Sequence, residues 1–60
     1  MPYVNVKVAG ELTKDQKEKI ADGITRVLEE VAGKPPKVTY VVFEEVDREN
    51  WAVGGKLLSG

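Results

Sequence analysis

One amphipathic helix, punctuated at both ends, limits what this chain can fold into. Thr13 followed three residues later by Gln16 fits a capping box. The threonine oxygen takes a free backbone N–H and the glutamine reaches back. Asp15 and Glu18 sit in or beside the first turn, where the helix dipole favours negative charge. Apolar residues then recur at Ile20, Ile24, Val27, Leu28 and Val31, with Lys17, Asp22, Arg26 and Glu29 mostly elsewhere. That is one stripe of a helical period. Gly33 is placed to end the helix, and Pro35-Pro36 forbid its continuation. Gly23 is the weak position, costing about 1 kcal/mol relative to alanine unless a close packing contact requires it.

Both flanks read as strands. Tyr3 to Ala9 alternates, with Val4, Val6 and Val8 on one face and Tyr3, Asn5 and Lys7 on the other. Val38 to Phe43 is a near-continuous β-branched and aromatic run, the pattern of a strand covered on both faces. Strand, helix and strand make a βαβ unit with a right-handed crossover. Two parallel strands and one helix cannot cover two sheet faces, so the open face must meet another copy. Glu44 to Asn50 reads as a charged loop. Trp51 to Leu58, with Gly54-Gly55 between apolar residues, reads as a small hairpin or a backbone crossing. The expected architecture is a single α+β domain over residues 1–60.

Composition points the same way. The chain has 60 residues, no cysteine and no histidine, which removes disulfides and the common zinc sites. Alone, a chain of this length buries only about 60% of its unfolded surface, and oligomerisation is the remaining usual support. A net charge of −1 with scattered basic residues leaves no electrostatic footprint for nucleic acid. No apolar run approaches the roughly 20 residues that span a bilayer. The opening Met-Pro-Tyr-Val-Asn-Val-Lys lacks a signal peptide's apolar core. A cytoplasmic homo-oligomer without nucleic-acid or membrane partners is expected.

The usual catalytic machinery is missing. There is no Ser-His or Cys-His pair, no metal-ligand cluster and no glycine-rich phosphate loop, so neither cofactor nor metal is expected. Glu44 and Glu45 are adjacent and diverge, which reads as a solvated turn rather than a catalytic dyad. Pro2 is different. Removal of the initiator methionine would expose a secondary amine at the start of a strand. Ordinary α-amino groups titrate near pH 8, and an apolar surround or a nearby cation lowers that value. The neutral amine is then a general base at pH 7. Taken alone, Pro2 is a weak signal and reads more simply as the start of an edge strand.

Pro2-Tyr3-Val4-Asn5-Val6, the Thr13-x-x-Gln16-Lys17 helix start, Val41-Val42-Phe43-Glu44-Glu45 and Asn50-Trp51-Ala52-Val53-Gly54-Gly55 occur in this order. Together they resemble the 4-oxalocrotonate tautomerase family over residues 2 to 58. The resemblance implies a βαβ protomer of the tautomerase/MIF-like fold, with a short C-terminal hairpin. It implies dimers whose strands join into a four-stranded sheet, assembled as a hexamer from three dimers. It implies that the Pro2 amine moves a proton from a dienol oxygen to carbon, converting 2-hydroxymuconate to its conjugated keto acid. The partner would be a small unsaturated keto or enol acid. Trp51, before the Gly-Gly pair, would wall the pocket and keep water out.

The chain departs from that family at two arginines. One position, on the loop leading into the helix, is Leu12 here; the other, on the second strand, is Thr39. A carboxylate and a developing enolate both call for a cation or fixed donors. Arg48, three residues before Trp51, is the best stand-in, with Lys7 and Lys56 behind it. Arg26 belongs to a solvated helix face. Asn50 reads as a turn residue and Gly54 and Gly55 as turn geometry. Two other functions fit the residues: a Pro2 enzyme acting as an acid in hydration or dehalogenation of another unsaturated acid, and a non-catalytic self-assembling domain.

Overall fold

The computed structural model describes residues 1–59; Gly60, the last residue of the expected domain, lies outside them. The order is β1 (Tyr3–Ala9), α1 (Lys14–Ala32), β2 (Tyr40–Val46), β3 (Ala52–Val53) and β4 (Lys56–Leu57). Two 3-10 turns, Pro36–Val38 and Arg48–Asn50, flank β2. β1 and β2 pair in parallel from Tyr3↔Tyr40 to Ala9↔Val46, and β3 and β4 form an antiparallel hairpin. This is the expected α+β fold.

The helix begins and ends for the reasons its sequence carries. Thr13 Oγ1 accepts from Gln16 N–H at 3.1 Å, and Gln16 Oε1 accepts from Thr13 N–H at 2.9 Å. At the other end Gly33 adopts φ 66° and its N–H donates to the Glu29 carbonyl at 3.0 Å. A side chain would be strained in that left-handed conformation.

The second strand departs from expectation at both ends. The second strand does not start at Val38. Behind Pro35-Pro36 the chain makes a 3-10 turn, with Val38 N–H donating to Pro35 and Thr39 N–H to Pro36. The strand runs instead from Tyr40 through Val46, so Glu44, Glu45 and Val46 are strand residues rather than loop. Glu44 and Glu45 do diverge, but each has its own partner. Glu44 Oε1 accepts from Asn5 Nδ2 at 2.6 Å on the face away from the helix. Glu45 accepts from Lys17 Nζ and from Leu12 N–H, both at 2.8 Å, on the helix side.

The helix stripe is also displaced. Lys17, Ile20, Ala21, Ile24, Thr25 and Leu28 are half-buried, whereas Val27 and Val31 are 57% and 82% exposed. Val27 lies at the flank of the stripe. Val31 overhangs, because a 19-residue helix is about 28 Å long while a seven-residue strand covers about 23 Å. Gly23 makes no close packing contact within the chain: a Cβ built there has no neighbour within 4 Å.

The single chain forms no closed core, and none of its described residues is fully buried. Its radius of gyration is 14.3 Å, against about 10 Å for a compact domain of this length. It exposes 4668 Å², against about 3,900 Å² for a compact monomer of this mass. The excess is apolar where it matters. Tyr3, Tyr40 and Val42 on the open sheet face, Val27 and Val31 on the helix, and Val53 and Leu57 on the hairpin are each at least 41% exposed.

Candidate active site

Parallel pairing puts both strand starts at one end of the sheet and both strand finishes at the other. Pro2 heads β1 and is half-buried. Its carbonyl accepts from Tyr40 N–H at 2.9 Å, which fixes the start of β2 beside it. Met1, the residue whose removal would free the Pro2 amine, is 86% exposed.

Arg48 and Trp51 lie beyond the opposite end, past Val46. Arg48 is exposed and passes over Gly10, where an added side chain would meet its Nε at 3.9 Å. Gly10 has φ 90°, so glycine is needed there on backbone grounds as well. Trp51 is half-buried and held through its backbone. Its N–H donates to the Arg48 carbonyl at 3.3 Å, and its carbonyl accepts from Leu58 N–H at 2.9 Å. The length of β1, seven residues at about 3.3 Å each, separates Pro2 from both. One chain therefore does not bring the three candidate residues together. Among the described residues it encloses no pocket.

The other candidates are dispersed too. Lys7 sits opposite Glu44 in mid-sheet, on the face away from the helix. Lys56 is on β4. Arg26 pairs with Asp22 at 2.9 Å on the exposed helix face. Leu12 donates its N–H to Glu45. Thr39 is not on the second strand: it precedes Tyr40, and its hydroxyl donates to the Pro35 carbonyl at 2.9 Å. No group of acids suited to a metal ion occurs among the described residues. No helix there is long and apolar enough to cross a membrane.

The residues at Pro2's end that sequence reasoning passed over are Tyr3 and Tyr40. They are register partners, 62% and 53% exposed, on the face away from the helix. The signal was available: a βαβ unit pairs its strand starts, and each strand here opens on tyrosine.

Residues 2–60 match the tautomerase family, described as "Tautomerase enzyme". A probable tautomerase of Bacillus cereus is 41% identical over 59 residues, covering 98% of this chain and 97% of that protein. The 2-hydroxymuconate tautomerase of Bacillus subtilis is 36% identical over 59 residues, covering 98% and 95%. The crystal structure of DmpI from Helicobacter pylori superposes with a TM-score of 0.89 at 28% identity, covering 97% of this chain and 91% of that one. The chain belongs to the tautomerase family, the isomerases whose 4-oxalocrotonate members its motifs resemble.

Proposed function

We propose that this chain moves a proton on an enolisable 2-hydroxy-dienoate such as 2-hydroxymuconate, with the Pro2 amine as general base. While Met1 is attached, the Pro2 nitrogen is a tertiary amide with no usable lone pair, so methionine removal switches the chemistry on. The neutral amine accepts the proton of the dienol oxygen and delivers it to carbon, leaving the conjugated keto acid. Negative charge spreads over the oxygens during transfer and needs fixed donors. Arg48 supplies a guanidinium and Trp51 a wall that excludes water.

Because Pro2 and the Arg48–Trp51 segment occupy opposite ends of one sheet, this site forms between copies. Two sheets joined antiparallel about a two-fold axis bring the start of one β1 beside the finish of another. The same joining covers apolar surface that the single chain exposes. We propose a cytoplasmic homo-oligomer, a hexamer of three such dimers.

The observation that carries this reading is the place of Pro2 at the head of β1, its carbonyl tied to Tyr40, in a chain that matches tautomerases over residues 2–60. The test is ketonisation of 2-hydroxymuconate by protein whose mass shows Met1 removed. Pro2→Ala should lower kcat by about 10²–10⁴-fold, the usual worth of a general base, with oligomer mass unchanged. The rate should rise with pH through the amine's titration. An unchanged rate in Pro2→Ala overturns the proline mechanism.

A further inference from the structure

We propose that Lys17 keeps Arg48 available to an anionic substrate by holding Glu45 away from it. Lys17 and the Leu12 N–H together occupy the one carboxylate placed to close on the guanidinium. This rests on the reading of Arg48 as the site's cation. Lys17 is then a positioning residue, acting on substrate through two other side chains.

The finish end of the sheet is rich in acid. Asp47 and Glu49 flank Arg48, Glu45 is three residues before it, and Glu11 follows Gly10, the residue beneath the Arg48 side chain. Yet Arg48 makes no ion pair or side-chain hydrogen bond among the described residues. Glu49 shares a 3-10 turn with Arg48, and consecutive side chains of such a turn diverge by about 120°.

Glu45 is the carboxylate in position to compete. Arg48 Nε lies 3.9 Å from where a Cβ on Gly10 would be. Glu45 Oε2 accepts from the Leu12 N–H at 2.8 Å. Gly10 and Leu12 are two residues apart, at most about 7 Å between Cα atoms, so both side chains end on one short stretch of loop. What separates them chemically is that each Glu45 oxygen already has a donor. Oε1 accepts from Lys17 Nζ at 2.8 Å, and an arginine fork needs both oxygens together.

The Lys17–Glu45 pair is built to persist. Its side chains are 34% and 30% exposed, against 77% and 71% for Lys19–Asp15 and 66% and 61% for Arg26–Asp22. Water screens it least of the three. Without Lys17, one Glu45 oxygen loses its cation while the Leu12 N–H keeps the carboxylate at the loop. Arg48, unpaired on the same loop, then closes on it, because its planar fork matches a carboxylate as a lysine cannot. Substrate can win a captured guanidinium back. Capture therefore raises KM in proportion to the captured fraction and leaves kcat unchanged.

The experiment measures 2-hydroxymuconate ketonisation by Lys17→Met and by two double variants, Lys17→Met/Glu45→Gln and Lys17→Met/Glu11→Gln. Both double variants carry the wild-type net charge. Lys17→Met should raise KM about fivefold, the upper worth of a partly exposed ion pair, with kcat and oligomer mass kept. Adding Glu45→Gln should return KM to the wild-type value, because the competing carboxylate is gone. Adding Glu11→Gln should leave KM raised. Equal rescue by both double variants would reduce Lys17 to its net charge. A fall in kcat, or no rescue by Glu45→Gln, would make Lys17 a support of the loop. Either result overturns the inference.

Pairing is also read without turnover. The chain has two arginines, so Arg48→Ala assigns their Nε–H signals in nitrogen-edited NMR spectra. The Arg48 Nε–H should exchange quickly with water in wild type, be protected in Lys17→Met and exchange quickly again once Glu45→Gln is added. An Arg48 signal unchanged in Lys17→Met overturns the inference whatever the kinetics show. Its failure is separable from that of the Arg48 reading. If Arg48→Ala lowers activity and Lys17→Met leaves KM alone, only the part given to Lys17 falls. If Arg48→Ala keeps full activity, Arg48 is not the site's cation, and the Nε–H signals still decide whether Lys17 holds Glu45 away from it.

Discussion

The two ends of the β1–β2 sheet are built by different means. At the finish of the strands the chain ties itself together: Glu45 on β2 takes Lys17 from the helix and the Leu12 N–H from the loop, and Arg48 folds over Gly10. At the start, Pro2 and Tyr40 share one backbone bond, and the side chains of Tyr3 and Tyr40 are mostly exposed. One end is completed by the chain's own polar groups. The other presents a prospective base and two hydroxyls to whatever approaches. On the proposed reading each copy holds half of a site, and the halves lie a strand's length apart.

The sharpest way to break this comparison is to mix defective copies. Arg48→Ala should cost about 10²-fold in kcat/KM, in the range for removing a donor at a developing oxyanion. If Pro2 and Arg48 of one site come from different copies, mixing Pro2→Ala with Arg48→Ala protein should restore activity that neither has alone. Sites in mixed oligomers can combine an intact Pro2 with an intact Arg48. Mixtures confirmed by mass to contain both variants, yet as inactive as the parents, would put both residues of each site in the same copy.

A smaller effect tests the self-tied end. Hydrogen bonds from Lys17 first, and from the Leu12 N–H second, hold the Glu45 carboxyl below its ordinary value of 4.5. A lowered folded-state value adds stability that is complete above the unfolded value and is lost as pH falls through the folded one. Thermal midpoints, measured at fixed protomer concentration, should therefore fall as pH drops below 4.5. The fall should be steeper in wild type than in Glu45→Gln, and the two should converge in acid. Parallel curves would show that the clamp is not what titrates.

The smallest effect concerns Gly23. Alanine there meets nothing within 4 Å in the chain and should stabilise the protein by about 0.5–1 kcal/mol through helix propensity. A lower midpoint would instead place another copy's atoms against that exposed turn.

Local chemistry was legible wherever it was decided by neighbours in sequence. The capping box at Thr13 and Gln16 and the left-handed Gly33 each involve atoms within five residues, so residue type and spacing specify them. The alternation of Val4, Val6 and Val8 marked the helix-facing side of β1 for the same reason. The error at β2 was of another kind. Glu44 and Glu45 have a loop's composition, and only pairing with Lys7 and Val8 across the sheet keeps them extended. Val38–Phe43 is uniformly strand-prone, which places Thr39 on the strand by sequence, but the two prolines hold the chain in a turn until Tyr40.

The sequence by itself determined one helix between two strands, the capping of that helix, the prominence of Pro2 and the shortage of arginine. These follow from periodicity, side-chain stereochemistry and composition, which act over a few residues or none. Only the tertiary structure decided that Pro2 stands with Tyr3 and Tyr40 and apart from Arg48 and Trp51. Parallel register gathers strand starts at one end and strand finishes at the other, and no short-range pattern records which distant residue lies opposite which.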